Sequence, residues 1–125
     1  MKEIDDFTKG FILCALWLLT GDEGNSIDEG YFIEDLTPEA LATIQEDCEA
    51  FQKSCKAELT KAYALYNSDN PAESAGHDFY LTRNGHGAGF WDRGLGEWGE
   101  ILTDMSKPFG SLSLYVDKDS KLSVI

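Results

Sequence analysis

The sequence predicts an α+β domain. Two N-terminal helices, the second one long, pack with a small antiparallel sheet of about four strands and a third short helix, in the order α-α-β-β-α-β-β. Three observations point there. Apolar residues recur every three or four positions from Leu41 to Tyr66, the period of a helix face. Asn84-Gly85 stands between two short aromatic and apolar stretches, a strong hairpin signal. Leu112, Leu114 and Val116 alternate with Ser113 and Tyr115, the period of a strand. A length of 125 residues suits a single domain, residues 1–125, with one core. No repeat, linker or low-complexity tract divides it.

The first helix opens behind Asp5 or Asp6, either of which can cap it. Phe7, Phe11, Cys14 or Ala15, and Leu18 form one apolar stripe, and Ile12, Leu16 and Leu19 form another. A helix apolar on two faces is expected to be sandwiched, and Gly21 ends it. Its apolar run, residues 11–19, is about half the length of a membrane span. The acidic start around Asp5 and Asp6 is unlike a secretory leader.

Residues 21–36 are an acidic connection. The spacing of Asp22, Asn25, Asp28 and Glu29 does not fit a calcium loop. Thr37, Pro38 and Glu39 open the second helix as N-cap, first-turn proline and first-turn acid. Its seam runs Leu41, Ile44, Cys48, Phe51, Cys55, Leu59, Ala62 and Tyr66. Nothing in the sequence breaks this helix before Asn67, so it is expected to extend roughly 45 Å. It either wraps the core of a monomer or pairs with a second copy as a homodimer.

The period then changes. His77 to Arg83 and Ala88 to Asp92 read as antiparallel partners joined at Asn84-Gly85. Leu95, Trp98, Ile101, Leu102 and Met105 give a short helix, stopped by Pro108 and Gly110. Residues 111–116 and 122–125 are the last two strands, with a turn at 117–121. The expected core is Phe11, Leu18, Leu41, Ile44, Phe51, Trp98, Leu102, Leu112 and Leu114.

The charge is unusual and uneven. Ten basic against 23 acidic residues give −13. Residues 1–50 hold 13 of the acids and two lysines, a net of −11, and residues 51–125 hold a net of −2. Such a field repels bare nucleic acid and anionic membrane and attracts basic protein surfaces. Cys14, Cys48 and Cys55 fall on apolar helix faces and read as buried, reduced thiols of a cytosolic protein. Cys48 and Cys55 lie about 10 Å apart along one helix, too far to bridge.

Residues 76–94, GHDFYLTRNGHGAGFWDRG, gather both histidines and both arginines of the chain with five glycines. His77, Asp78, Arg83, His86, Trp91, Asp92 and Arg93 are the candidate ligand-binding set. Arginine forks and a glycine-rich turn suit a phosphate-bearing ligand, with Trp91 or Tyr80 stacking on a base. The glycines match no dinucleotide or P-loop fingerprint. Placed on a hairpin, His77 and His86 would lie too far apart to share a metal. No cysteine or strained serine pairs with either histidine, so no nucleophilic site is expected. His77 beside Asp78 has the composition of a general base. A structural hairpin that satisfies its own polar groups explains the same residues, and no catalytic residue, metal or cofactor is assigned.

The same stretch resembles the C-terminal motif of a family of small tailed-phage proteins of unassigned function. That family shares a GHDF-(W/Y)-LTRNGHGAGFWDRG core, followed by a short helix and a YV-x-D tail. Gly76 to Gly94 match the core, and Tyr115 and Val116 match the start of the tail, with Asp117 directly after them. The resemblance covers roughly residues 75 to 120. It implies a phage or prophage origin and a small accessory protein, and it implies no reaction.

Resemblance and charge together lead to an expectation. The chain is a small acidic phage protein, cytoplasmic in its bacterial host. It binds a host protein with a basic groove and inhibits a nucleic-acid-processing or defence enzyme as a nucleic-acid mimic. The expected contact residues are Asp22, Glu23, Asp28, Glu29, Glu34 and Asp35, with no direct contact to nucleic acid or membrane. The alternative is a small nucleotide- or phosphate-ligand-binding protein or enzyme that uses Gly76 to Gly94.

Overall fold

The computed structural model describes residues 3–19 and 32–125. Their order is α1 (Asp6–Leu19), α2 (Pro38–Ser54), α3 (Lys56–Tyr63), α4 (Pro71–Arg83), α5 (Glu97–Ser106), β1 (Leu114–Val116) and β2 (Leu122–Val124). Short 3-10 turns lie at Ile33–Asp35, Phe90–Asp92 and Lys107–Phe109. The expected four-stranded α+β order is therefore overturned. Among the described residues the fold is five helices and one two-stranded antiparallel hairpin.

The largest correction falls on the supposed hairpin at His77 to Asp92, whose first half is helix α4. Asn70 caps it, accepting from Glu73 N at 3.2 Å, and Pro71 fills the first turn. Its end explains the misreading. Gly85 has φ +68, a left-handed conformation that glycine adopts without a Cβ penalty. His86 N–H donates to Leu81 O at 3.1 Å and Gly85 N–H to Thr82 O at 3.3 Å. These are the two bonds of a Schellman cap. Asn-Gly supplies positive φ to a hairpin turn and to a helix end alike, and here it ends a helix. Asn70→Ala removes the N-cap acceptor and is expected to lower stability by about 1 kcal/mol. Urea unfolding checks this, and an unchanged midpoint would mean that Asn70 does not hold the helix start.

The second helix is also not one rod. Cys55 leaves helical conformation (φ −112, ψ 21) and divides α2 from α3. The apolar seam continues through the break, with Ile44, Cys48, Phe51, Cys55, Leu59 and Ala62 all buried within the single chain. The bend at Cys55 keeps successive parts of the seam on one small core, with the seam's ends at Leu41 and Tyr66 half-buried.

Other sequence signals map directly. Thr8 N–H donates to Asp5 Oδ1 at 2.8 Å, so Asp5 caps α1. Ala40 N–H donates to Thr37 Oγ1 at 3.0 Å at the start of α2. β1 and β2 pair with Leu114 opposite Val124 and Val116 opposite Leu122. Asp117 Oδ1 closes their turn by accepting from Asp119 N–H at 2.8 Å and Lys121 N–H at 3.0 Å. Thr37 N–H donates to Leu122 O at 2.9 Å and ties the hairpin to the start of α2.

Helices α1 and α4 meet backbone to backbone. A Cβ on Gly10 would overlap the carbonyl of Glu73, and one on Gly76 would overlap the carbonyl of Phe7. The two glycines are thus reciprocal, each making room for the other helix. The core under this crossing is aromatic: Phe51 stacks on Phe79 with centroids 4.1 Å apart, and Phe7, Phe90 and Phe109 surround the pair. Of the nine expected core residues, Phe11, Ile44, Phe51, Leu102, Leu112 and Leu114 are buried. Leu18, Leu41 and Trp98 pack half-buried against them.

Candidate functional site

Helix α4 decides where the motif's side chains go, because a 3.6-residue period sends neighbours to different faces. Asp78 points inward, its side chain only 2% exposed. Its Oδ1 accepts from Arg93 Nε at 2.9 Å and lies 2.9 Å from Arg93 Nη2. Its Oδ2 accepts from Tyr66 Oη at 2.6 Å. The chain therefore folds back after the Gly85 cap and returns Arg93 to the helix it left.

Around this triad lies an open cleft of about 440 Å³. One wall is α1, through Gly10 and Leu13. The second is the α3–α4 connection, through Tyr66, Asn67, Ser68 and Asn70, and the third is α4 with Arg93. From α4 come Glu73, Ser74, His77 and Asp78, which share a helix face. The Trp17 ring lies 6.2 Å from the His77 ring.

The electrostatics follow from burial. Burial raises the Asp78 carboxyl above the usual carboxylate range, against the lowering effects of the Tyr66 hydrogen bond and the Arg93 charge. Burial, with the neighbouring Asp78 charge, pushes the Tyr66 phenol up, so it serves as a donor and not as a base. Burial also lowers His77, with Asp78 and Glu73 pulling the other way, which favours neutral imidazole at pH 7.

The rest of the expected ligand set goes elsewhere. Arg83 faces the opposite side, its side chain 2% exposed. Its Nε donates to Gly110 O at 2.8 Å, and its Nη2 donates to Phe109 O at 3.1 Å and lies 3.1 Å from Asp47 Oδ2. Its guanidinium carbon lies 5.2–5.7 Å from the centroids of Phe11, Phe79 and Phe109. Nη1 has no hydrogen-bond partner there, and the ring faces supply its electrostatic compensation. Arg83 is thus a structural clamp between α4 and the chain after α5.

His86 is exposed and lies over Tyr80, with ring centroids 6.3 Å apart. Asp92 Oδ1 accepts from Gly89 N–H at 3.2 Å and holds the 3-10 turn. Trp91 lines a separate shallow cleft with Glu100, Thr103 and Asp104. Of the seven expected residues, the cleft brings together His77, Asp78 and Arg93. No group of three or more potential metal ligands occurs among the described residues.

Sequence reasoning missed Tyr66, Glu73 and Ser74. The signal for the last two was present. Asn70-Pro71 reads as a helix start and Asn84-Gly85 as a helix stop, and a helix between them puts Glu73, Ser74, His77 and Asp78 on one face. Nothing in the sequence marks Tyr66 as a partner of Asp78.

Of the expected acidic contact residues, Glu34 is exposed and Asp35 accepts from Phe32 N–H at 2.7 Å through Oδ2. Asp22, Glu23, Asp28 and Glu29, with Gly21 and the excluded calcium spacing, lie outside the described residues. Cys14, Cys48 and Cys55 are buried free thiols. Burial pushes Cys14 and Cys48 up to about 12 and Cys55 to about 11. No described helix is long and apolar enough to cross a membrane. In comparisons with known proteins, the chain matches no family model, no curated protein and no solved structure.

Proposed function

We propose that the chain is an acidic accessory protein of phage origin that binds and inhibits a host nucleic-acid-processing or defence enzyme. It offers carboxylates to a basic groove that otherwise holds phosphates, and it acts in the host cytoplasm. The carrying observation is the net charge of −13, concentrated in residues 1–50. Its placement supports this reading: Glu34, Glu39 and Glu46 are exposed on and just before α2, while Asp47 of α2 pairs with the buried Arg83. The motif at Gly76 to Gly94 supports the phage origin through its resemblance. Its two arginines pair internally, with Asp47 and Asp78, which favours protein docking over a phosphate site built from both.

The test begins with targets recovered from the host by pulldown and then purified as nucleases. Neutralising Asp22, Glu23, Asp28 and Glu29 to the amides is expected to slow association more than it speeds dissociation, because steering acts on encounter. Inhibition is expected to fade as salt shortens the screening length below about 8 Å. Unchanged association at low salt would remove the mimicry reading.

A further inference from the structure

We propose that the cleft between α1, the α3–α4 connection and α4 binds a small zwitterion, with its carboxylate on Arg93 and its ammonium group on Glu73. A guanidinium has two forked donor edges. Asp78 Oδ1 occupies the edge formed by Nε and Nη2, each at 2.9 Å. Asp78 is itself fixed by Tyr66 at 2.6 Å and is shielded from water. The orientation of Arg93 is therefore set before any ligand arrives. Its other edge, Nη1 with the second Nη2 hydrogen, has no partner among the described residues, and the side chain is 35% exposed and lines the cleft. A fixed fork on an open cavity matches a carboxylate bidentately.

The opposite charge lies in the same cavity. Glu73 is half-buried and lines the cleft one helical turn before His77. Among the described residues its carboxylate receives only Asn70 Nδ2, at a long 3.5 Å. Asp78 has both oxygens committed, and burial favours neutral forms of His77 and Tyr66. Asp92, whose Oδ1 lies 3.8 Å from Arg93 Nε, does not line the cleft, so Arg93 and Glu73 are the cleft-lining charges left to a ligand, one of each sign. That pair selects a zwitterion. A phosphate dianion would meet Glu73, Asp78 and the field of a −13 chain. Leu13 supplies an apolar wall, and Ser68 and Ser74, whose hydroxyls are 2.8 Å apart, supply a polar rim. About 440 Å³ is a metabolite-sized volume, and the simplest ligand of this chemistry is a free α-amino acid. The proposal uses neither the exposed acids nor a protein partner, so it stands or falls apart from the docking function.

The experiment is titration of the isotope-labelled full chain, followed by NMR, with each of the twenty L-amino acids and with inorganic phosphate. At least one amino acid is expected to shift the Ser74 and His77 amides and the Arg93 Nε–H, with a Kd below about 1 mM, while phosphate binds more weakly. Arg93→Lys keeps a charge beside Asp78 but loses the fork, and is expected to weaken binding about tenfold or more. Glu73→Gln is expected to weaken the amino acid comparably and to leave its N-acetyl derivative unaffected. The proposal is overturned if no amino acid at about 10 mM perturbs these signals, or if phosphate binds more tightly than all of them. It is equally overturned if folded Arg93→Lys binds as the parent does. Should Arg93→Lys fail to fold, Glu73→Gln decides alone, and unchanged amino-acid affinity there overturns the proposal.

Discussion

Phe51→Ala is expected to lower the stability of the domain by about 3–5 kcal/mol, the range for emptying a fully buried aromatic site. Phe51 is 0% exposed and touches four rings, as many as Phe79 does. It stacks on Phe79 at 4.1 Å, with Phe7, Phe90 and Phe109 at 5.8–5.9 Å. These rings come from α1, α2, α4 and the two 3-10 turns that flank α5. A cavity there removes contacts from all of them at once, and no single neighbour can close it. Urea unfolding should show a lower midpoint with little change in slope. A loss below about 1 kcal/mol would mean that the seam through Phe51 is not the centre of the core.

Arg93→Ala is expected to cost about 3 kcal/mol at neutral pH, the low end of the range for breaking a buried ion pair. The figure is held low because a third of Arg93 is exposed and water can enter the space it leaves. The loss arises mainly at Asp78, a buried carboxylate left with Tyr66 as its remaining partner. The pH dependence distinguishes this cause from lost packing. Burial already raises Asp78, and Arg93 is one of the influences lowering it. Without Arg93 the carboxyl rises further. The folded state then favours the protonated form, whose stabilising contribution is present below the ordinary carboxylate pKa and is lost as pH rises through the folded value. The defect should therefore be smallest near pH ~4 and grow toward pH ~8. Asp78→Asn in the same background should recover much of it, since it removes the stranded charge. A defect independent of pH, or no recovery, would place the cost in packing.

The sequence alone determined what depends on neighbours a few residues apart. The caps at Asp5 and Thr37 are local hydrogen bonds between a short side chain and the next turn's backbone. The α5 period, its stop at Pro108 and Gly110, and the pairing of Leu114 to Val116 with Leu122 to Val124 are likewise short-range. The seam from Ile44 to Ala62 was legible because a 3.6-residue period survives a bend.

Only the tertiary structure decided the motif. Asn84-Gly85 states that the chain needs positive φ, and it does not say whether a strand or a helix precedes the turn. The choice fell to the contact with α1, against which α4 packs as a helix with Gly76 at the crossing. With α4 in place, Arg83 and Arg93, ten residues apart in one motif, took opposite fates. One was buried among phenylalanines and carbonyls, and the other returned to Asp78 at the edge of a cleft. Tyr66 joined that cleft from another segment. Nothing local encodes such contacts, because they form between residues that the chain brings together only when its helices pack and buried charges must find partners.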